Sequence, residues 1–195
     1  MQPQTSRFSR TLAIILVSLY VLSLVALIYV NWAADPDFMQ PWMLLLNILI
    51  LSIPLVLLYG AIYVLLVGWR ERSTLGKVSP RLAKIIHWAP RVAALLIIFF
   101  VGLFSLDVFG TGAPPLEVLV AFLMHNLPSL VMLVMLVFAW KRPVVGFVAF
   151  LIAAAAFAAF FVRDVYALPN LLLLLVLPIL LVASLFYADW QWLKP

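Results

Sequence analysis

Residues 42–67 read WMLLLNILILSIPLVLLYGAIYVLLV and contain no charged side chain. This stretch exceeds the roughly 20 apolar helical residues that cross a hydrocarbon core about 30 Å thick. The rest of the chain is similar, because 68% of its 195 residues are apolar and only 10% are charged. A soluble domain is usually about 45–50% apolar and about 25% charged. The composition therefore argues strongly against a soluble domain, a disordered chain or a nucleic-acid binder, and favours a polytopic membrane protein.

Six stretches are long and apolar enough to cross a membrane. They cover residues 11–30, 42–67, 88–109, 116–139, 143–162 and 169–188. Leu, Val, Ile and Ala dominate them without strict alternation, which favours helices over barrel strands. We therefore predict an all-α fold, a bundle of six transmembrane helices.

We predict a single domain, residues 1–195, with three parts. A helix hairpin at 1–67 is followed by a basic cytoplasmic connector at 68–90 and by four helices at 88–188. In the connector, Ser79 before Pro80 is a typical helix start. Apolar residues then recur on one face, with basic residues on the other, so we expect a short interfacial helix near 80–89. The alternative is a helix that docks a partner protein.

The charges predict the orientation of the spans. With the N-terminus inside, eleven of the twelve Lys and Arg side chains lie on the inner face, and only Arg163 lies outside. Five of the seven acidic residues fall outside: Asp35, Asp37, Asp107, Glu117 and Asp164. This asymmetry is the positive-inside pattern, so we predict that both termini are inside. Contact with anionic lipid headgroups then accounts for the basic pI of 9.8 without nucleic acid.

Two features concern how the spans pack. Pro54, Pro128 and Pro178 lie inside the even-numbered spans, where each removes a backbone donor and should kink its helix. Kinked helices can line a cavity, although prolines are also common in membrane helices without such a role.

Span five is rich in alanine and begins near Gly146. Because small residues let helices approach closely, we expect it to be the most enclosed helix, or else a contact with a membrane protein partner or a second copy.

His125 is the most informative polar residue. It lies about 13 Å along span four, near the bilayer centre, where ionisable side chains usually have a function. The structural alternative is that His125 or Asn126 satisfies backbone groups freed by Pro128. In either case the imidazole needs polar partners, so we expect it to face the bundle interior.

Asp107 and Glu117 flank the tight outer turn between spans three and four. The two carboxylates can approach each other there and share a proton or attract a cation. The alternative is that both simply lie in interfacial water. Glu117 and His125 are separated by about 12 Å along one helix, so they cannot bind the same metal ion.

The chain lacks several kinds of reactive site. It has no cysteine and only two histidines, His87 and His125. No phosphate loop, dinucleotide fingerprint or hydrolase motif occurs. We therefore predict no catalytic residue, no metal site and no cofactor.

Three motifs carry a resemblance to a known family. They are FSLDVF at 104–109, HNLP at 125–128 and AWK at 139–141, with Gly146 following. Over about residues 88–188 the chain resembles an uncharacterised family of small prokaryotic integral membrane proteins. Asn126 departs from that pattern, which has an aliphatic residue after the histidine. The resemblance implies four helices and a prokaryotic cytoplasmic membrane, and it singles out Asp107, His125 and Pro128 without naming a substrate.

Three functions remain open on the sequence. The first is a non-enzymatic membrane bundle or accessory subunit of unknown activity. The second is transport of a small solute, an ion or protons, or a substrate-binding transporter subunit, which rests on size and helix count alone. The third is a membrane enzyme with His125 as its base and Asp107 or Glu117 as its partner. The space around His125 separates them. A sealed pocket favours a structural role, a bounded cavity favours ligand binding, and a cavity that reaches the outer carboxylates favours proton or ion movement.

Overall fold

The computed structural model describes residues 3–34, 40–110, 112–161 and 172–194. These ranges are all-helical and contain no strand. The helices are α1 (Pro3–Ala34), α2 (Pro41–Leu75), α3 (Pro80–Leu103), α4 (Pro115–Ala139), α5 (Pro143–Phe161) and α6 (Leu177–Trp192). A 3-10 helix, Phe104–Gly110, continues α3, and a π-helical turn, Leu172–Val176, precedes α6. Six helices are long and apolar enough to span a membrane, which confirms the predicted fold class.

Some of the predicted features fall outside the described residues. They are the charges Asp35, Asp37, Arg163 and Asp164, and the start of the sixth span at 169. The orientation of the bundle therefore stays a prediction.

The basic segment between the second and third spans is almost entirely helical. α2 extends to Leu75, Gly76 ends it in the left-handed conformation with φ of 71°, and α3 begins at Pro80 as the Ser79-Pro80 pair predicts. The interfacial helix expected near 80–89 is the first part of α3 and not a separate element. Its apolar residues Leu82 and Ile86 are buried against α2 and the end of α6, so this apolar face packs on neighbouring helices.

The last span is the most enclosed part of the bundle. In its most apolar stretch 56% of residues are buried, against 22% in α5. The expectation that span five is the most enclosed helix is therefore wrong. The reason is that α5 presents one small-residue face inward, toward α6, while residues such as Ala155 on its other face remain exposed.

Close packing of α5 on α6 depends on one glycine. A Cβ atom at Gly146 would lie 2.6 Å from the ring of Phe186, which is fully buried. The same ring stacks on Phe150, with centroids 5.7 Å apart. The small residues of this face thus serve internal packing, as expected of small-residue helix contacts in lipid.

The internal prolines differ in their positions within the helices. Pro54 is buried within α2, Pro128 lies within α4, and Pro178 lies in the first turn of α6 directly after the π-helical turn. Pro178 cannot donate to the carbonyl four residues earlier, which accounts for the wider turn before it. A further proline, Pro90, lies inside α3.

α1 lies at the edge of the bundle and packs mainly on α2. Two side-chain hydrogen bonds join the helices: the Tyr20 hydroxyl donates to Ser52 Oγ at 2.9 Å, and Ser23 Oγ lies 2.6 Å from the Tyr59 hydroxyl. Such bonds matter in lipid, where helix association gains little from the hydrophobic effect.

Candidate functional site

His125 lies on the exposed side of α4, roughly 15 Å along the helix from its first residue. The expectation that its side chain faces the bundle interior is therefore wrong. Its Nδ1 atom lies 2.9 Å from the carbonyl oxygen of Ala121, one turn earlier. This bond explains how a polar ring is tolerated on the outer side of the helix, since the helix backbone itself supplies a partner.

The imidazole lines an open pocket of about 570 Å³. The described residues of its walls come from the end of α3 with the 3-10 helix, the middle of α4, the end of α5 and the π-helical turn. The described lining residues are Val101, Phe104, Met124, His125, Pro128, Ala156, Phe157, Phe160 and Leu175. His125 is the one ionisable side chain among these described residues, and the other side chains in the set are apolar.

Asn126 belongs to a different surface, the contact between α3 and α4. Its Nδ2 donates to the carbonyl of Phe122 at 3.1 Å. Ser129, which is buried, donates through Oγ to the carbonyl of Asn126 at 2.8 Å. Oδ1 of Asn126 lies 3.5 Å from where a Cβ would stand at Gly102 on α3. Asn126 thus contributes to helix packing and not to the pocket.

The polar side chains near Pro128 do not bond to the backbone carbonyl that Pro128 leaves without a donor. Pro128 leaves the carbonyl of Met124 without its helical donor. The bonds from His125, Asn126 and Ser129 go instead to the carbonyls of Ala121, Phe122 and Asn126. None of these bonds satisfies the Met124 carbonyl.

Asp107 and Glu117 are both exposed, Asp107 in the 3-10 helix and Glu117 in the first turn of α4. Among the described residues no ion pair joins them, and neither belongs to the set that lines the pocket. Glu117 has a favourable position of its own, because a carboxylate near a helix N-terminus is stabilised by the helix dipole. Within the described ranges no group of three or more His, Asp or Glu side chains is arranged to hold a metal ion.

Among the described residues, a cluster of charged and polar side chains lies at the other end of the bundle, around Asp189. The carboxylate of Asp189 accepts a bond from Arg91 Nη1 at 2.7 Å, and its second oxygen lies 3.2 Å from Nδ1 of His87. Arg91 also donates to the carbonyl of His87 and, at 2.8 Å, to that of Trp140. Arg91 and Asp189 are buried, whereas the His87 side chain is 48% exposed.

From the sequence, Arg91 was expected only to be one of the basic anchors, and Asp189 was not singled out. The position of both charges inside apolar stretches could have indicated that they are buried. Arg91 follows Pro90 inside an apolar stretch, and Asp189 is an acidic residue within the last apolar span. A charge at such a position needs a partner, although the sequence does not say which one.

One family model covers the residues of both sites. The model of a domain of unknown function, DUF7670, matches residues 79–195, more than half of the chain. The chain belongs to the DUF7670 family. No curated protein and no solved structure shows a significant match to it.

The DUF7670 match contains α3 to α6, the His125 pocket and the Arg91–Asp189 pair, and it leaves out α1 and α2. The predicted resemblance to an uncharacterised family over residues 88–188 is therefore confirmed, with slightly wider limits. DUF7670 has no assigned activity, so the function has to be argued from the geometry of the site.

Proposed function

We propose that this DUF7670 protein is a non-enzymatic, multi-pass protein of the prokaryotic cytoplasmic membrane that binds an apolar ligand from the lipid phase in the His125 pocket. One observation carries the proposal: an apolar pocket at mid-helix depth with a single imidazole in its wall. Ligand pockets are usually about 300–1,000 Å³ and mostly apolar, with a few polar groups that orient the ligand. The volume of about 570 Å³ fits this description.

The position of the pocket favours access from the lipid. His125 lies roughly 15 Å from the start of α4, which is about half of a hydrocarbon core about 30 Å thick. The wall residues Phe104, Met124 and Phe160 are exposed large apolar side chains, so the pocket opens at the side of the bundle. A ligand dissolved in the membrane can enter without crossing the headgroups.

The other two functions have less support. An enzyme with His125 as base and Asp107 or Glu117 as its partner needs one of these carboxylates close to the ring, and neither is among the described lining residues. Nδ1 instead bonds to the backbone carbonyl of Ala121. An ion path requires the pocket to extend to those outer carboxylates, and the described lining residues do not include them.

A photoreactive long-chain alcohol, with a diazirine in its alkyl chain, tests the proposal on the full-length protein in phosphatidylcholine nanodiscs. We expect saturable crosslinking on peptides that contain Met124, Pro128 and Ala156. The variant Ala156→Phe should abolish saturable labelling because a phenyl ring fills the pocket. Ala155→Phe is the matched control, since Ala155 is exposed on the same helix but does not line the pocket. Labelling that rises without saturation, and equally in both variants, would overturn the proposal.

A further inference from the structure

The hydrogen bond of His125 determines which ring nitrogen carries the proton. The partner of Nδ1 is a backbone carbonyl oxygen, 2.9 Å away, and a carbonyl oxygen can only accept. Nδ1 must therefore be the donor. In a neutral imidazole the other nitrogen, Nε2, is then without a proton and acts as an acceptor.

From this tautomer we infer that the ligand of the His125 pocket is a hydrogen-bond donor: a lipid-soluble phenol or quinol whose hydroxyl donates to Nε2. The inference rests on the proposed function and adds the chemical class of the ligand. An apolar molecule with only carbonyl or ether oxygens offers Nε2 no proton. Such a molecule would leave the acceptor unsatisfied in an apolar pocket, which disfavours its binding.

The walls favour an aromatic ring next to the hydroxyl. Phe104, Phe157 and Phe160 contribute three phenyl rings to the lining. Aromatic rings gain from edge-to-face and offset contacts beyond the area that they bury. Met124 adds a flexible thioether side chain, which also makes favourable contacts with rings. A saturated alcohol would satisfy Nε2 but would forgo these contacts.

Three competitors of nearly equal size test separately whether the ligand needs a hydroxyl donor and whether it needs an aromatic ring. They are para-dodecylphenol, its methyl ether and the corresponding dodecylcyclohexanol, each used to displace the photoreactive probe from the wild-type protein in nanodiscs. We expect the phenol to displace it best. The ether should be about tenfold weaker because it lacks the donor, and the cyclohexanol about threefold weaker because it lacks the aromatic ring.

Variants at His125 test whether Nε2 is the atom that produces the preference for the phenol over the ether. In His125→Leu the phenol should lose about tenfold in affinity while the ether is unchanged, so the two should become equal. His125→Gln retains an acceptor oxygen and should recover part of the preference for the phenol. A merely structural role of His125 would weaken both ligands together.

The outcomes distinguish the two proposals. Saturable labelling that the phenol and the ether displace equally would overturn the assignment of a donor ligand and leave the pocket as a binding site. Equal displacement by the phenol and the cyclohexanol would overturn the inference that the ligand carries an aromatic ring. Absence of saturable labelling would overturn the proposed function together with this inference.

Discussion

The guanidinium of Arg91 and the carboxylate of Asp189 form a buried ion pair, with Nη1 and Oδ2 2.7 Å apart, although the residues are separated by 98 positions in the chain. The same guanidinium donates to the carbonyl of Trp140 at the end of α4. The pair thus connects α3, α4 and α6 at one end of the bundle. A cation is favourable there, because the last carbonyls of a helix carry partial negative charge.

Breaking this pair by a single substitution should be costly. Arg91→Met leaves the Asp189 carboxylate buried without its main partner. Asp189→Leu leaves the Arg91 guanidinium buried without its charged partner. Removing one member of a buried pair typically costs about 3–5 kcal/mol, so each variant should unfold at a markedly lower temperature in detergent. The double variant Arg91→Met/Asp189→Leu should be more stable than either single variant, because neither charge is then left alone.

His87 provides the control for this experiment. Its side chain is 48% exposed and lies 3.2 Å from the second oxygen of Asp189, so water can replace it. His87→Gln should therefore lower the unfolding temperature much less than either change in the buried pair. Additive effects of Arg91→Met and Asp189→Leu would contradict a direct interaction between the two residues.

The contact of α5 with α6 predicts a second pair of variants. Gly146→Ala places a methyl group 2.6 Å from the buried ring of Phe186, and overpacking of this kind typically costs about 1–3 kcal/mol. Gly60→Ala meets no atom within 4 Å and should be neutral or stabilising, because Ala is the better helix former. Thermal unfolding of the two variants in the same detergent measures the difference. Equal stability would show that the ring of Phe186 can move away.

The attachment of α1 to α2 gives a third prediction. Ser23→Ala removes a side-chain hydrogen bond between the two helices, which should lower stability by about 0.6 kcal/mol, and by about 1.7 kcal/mol at most. Ser184→Ala is the matched control, because Ser184 bonds to the carbonyl of Leu180 within its own helix. Unfolding in detergent should therefore distinguish the two alanine variants. A larger loss in Ser184→Ala would contradict the importance of the contact between α1 and α2.

The orientation predicted from the charges can be tested at the two ends of α4. The chain has no cysteine, so each introduced thiol is the only one. Glu117→Cys and Lys141→Cys both alter exposed residues. With the N-terminus inside, a membrane-impermeant maleimide should label position 117 in intact cells and position 141 only after permeabilisation. The opposite pattern would overturn the positive-inside argument.

Hydropathy was sufficient to predict much of the fold. The spans predicted at 116–139 and 143–162 lie within a few residues of α4 and α5, and Ser79-Pro80 was correctly predicted to begin a helix. These features are local. Length, apolar content and the fixed geometry of proline act within one segment, so they do not depend on which helices are neighbours.

The functional site could be predicted only in part. The sequence singled out His125 and Pro128 and placed them near the middle of the fourth span, and both line the pocket. It did not predict the pocket, because the described residues of the pocket walls are spread along the chain between 101 and 175. It also assigned His125 to the interior, since a polar ring was expected to need another helix as its partner. Ala121, on the same helix, provides that partner instead.

Composition and charge by themselves determined that the protein is a bundle of six apolar helices, and they predicted its orientation. Only the tertiary structure decided which faces meet: Gly146 against Phe186, Arg91 with Asp189, and His125 beside an open pocket. The physical reason lies in the solvent. Lipid tails are as apolar as the side chains of a helix contact, so a buried face and a lipid-facing one look alike in sequence. Close contacts and buried hydrogen bonds distinguish them, and both require the helices to be in place.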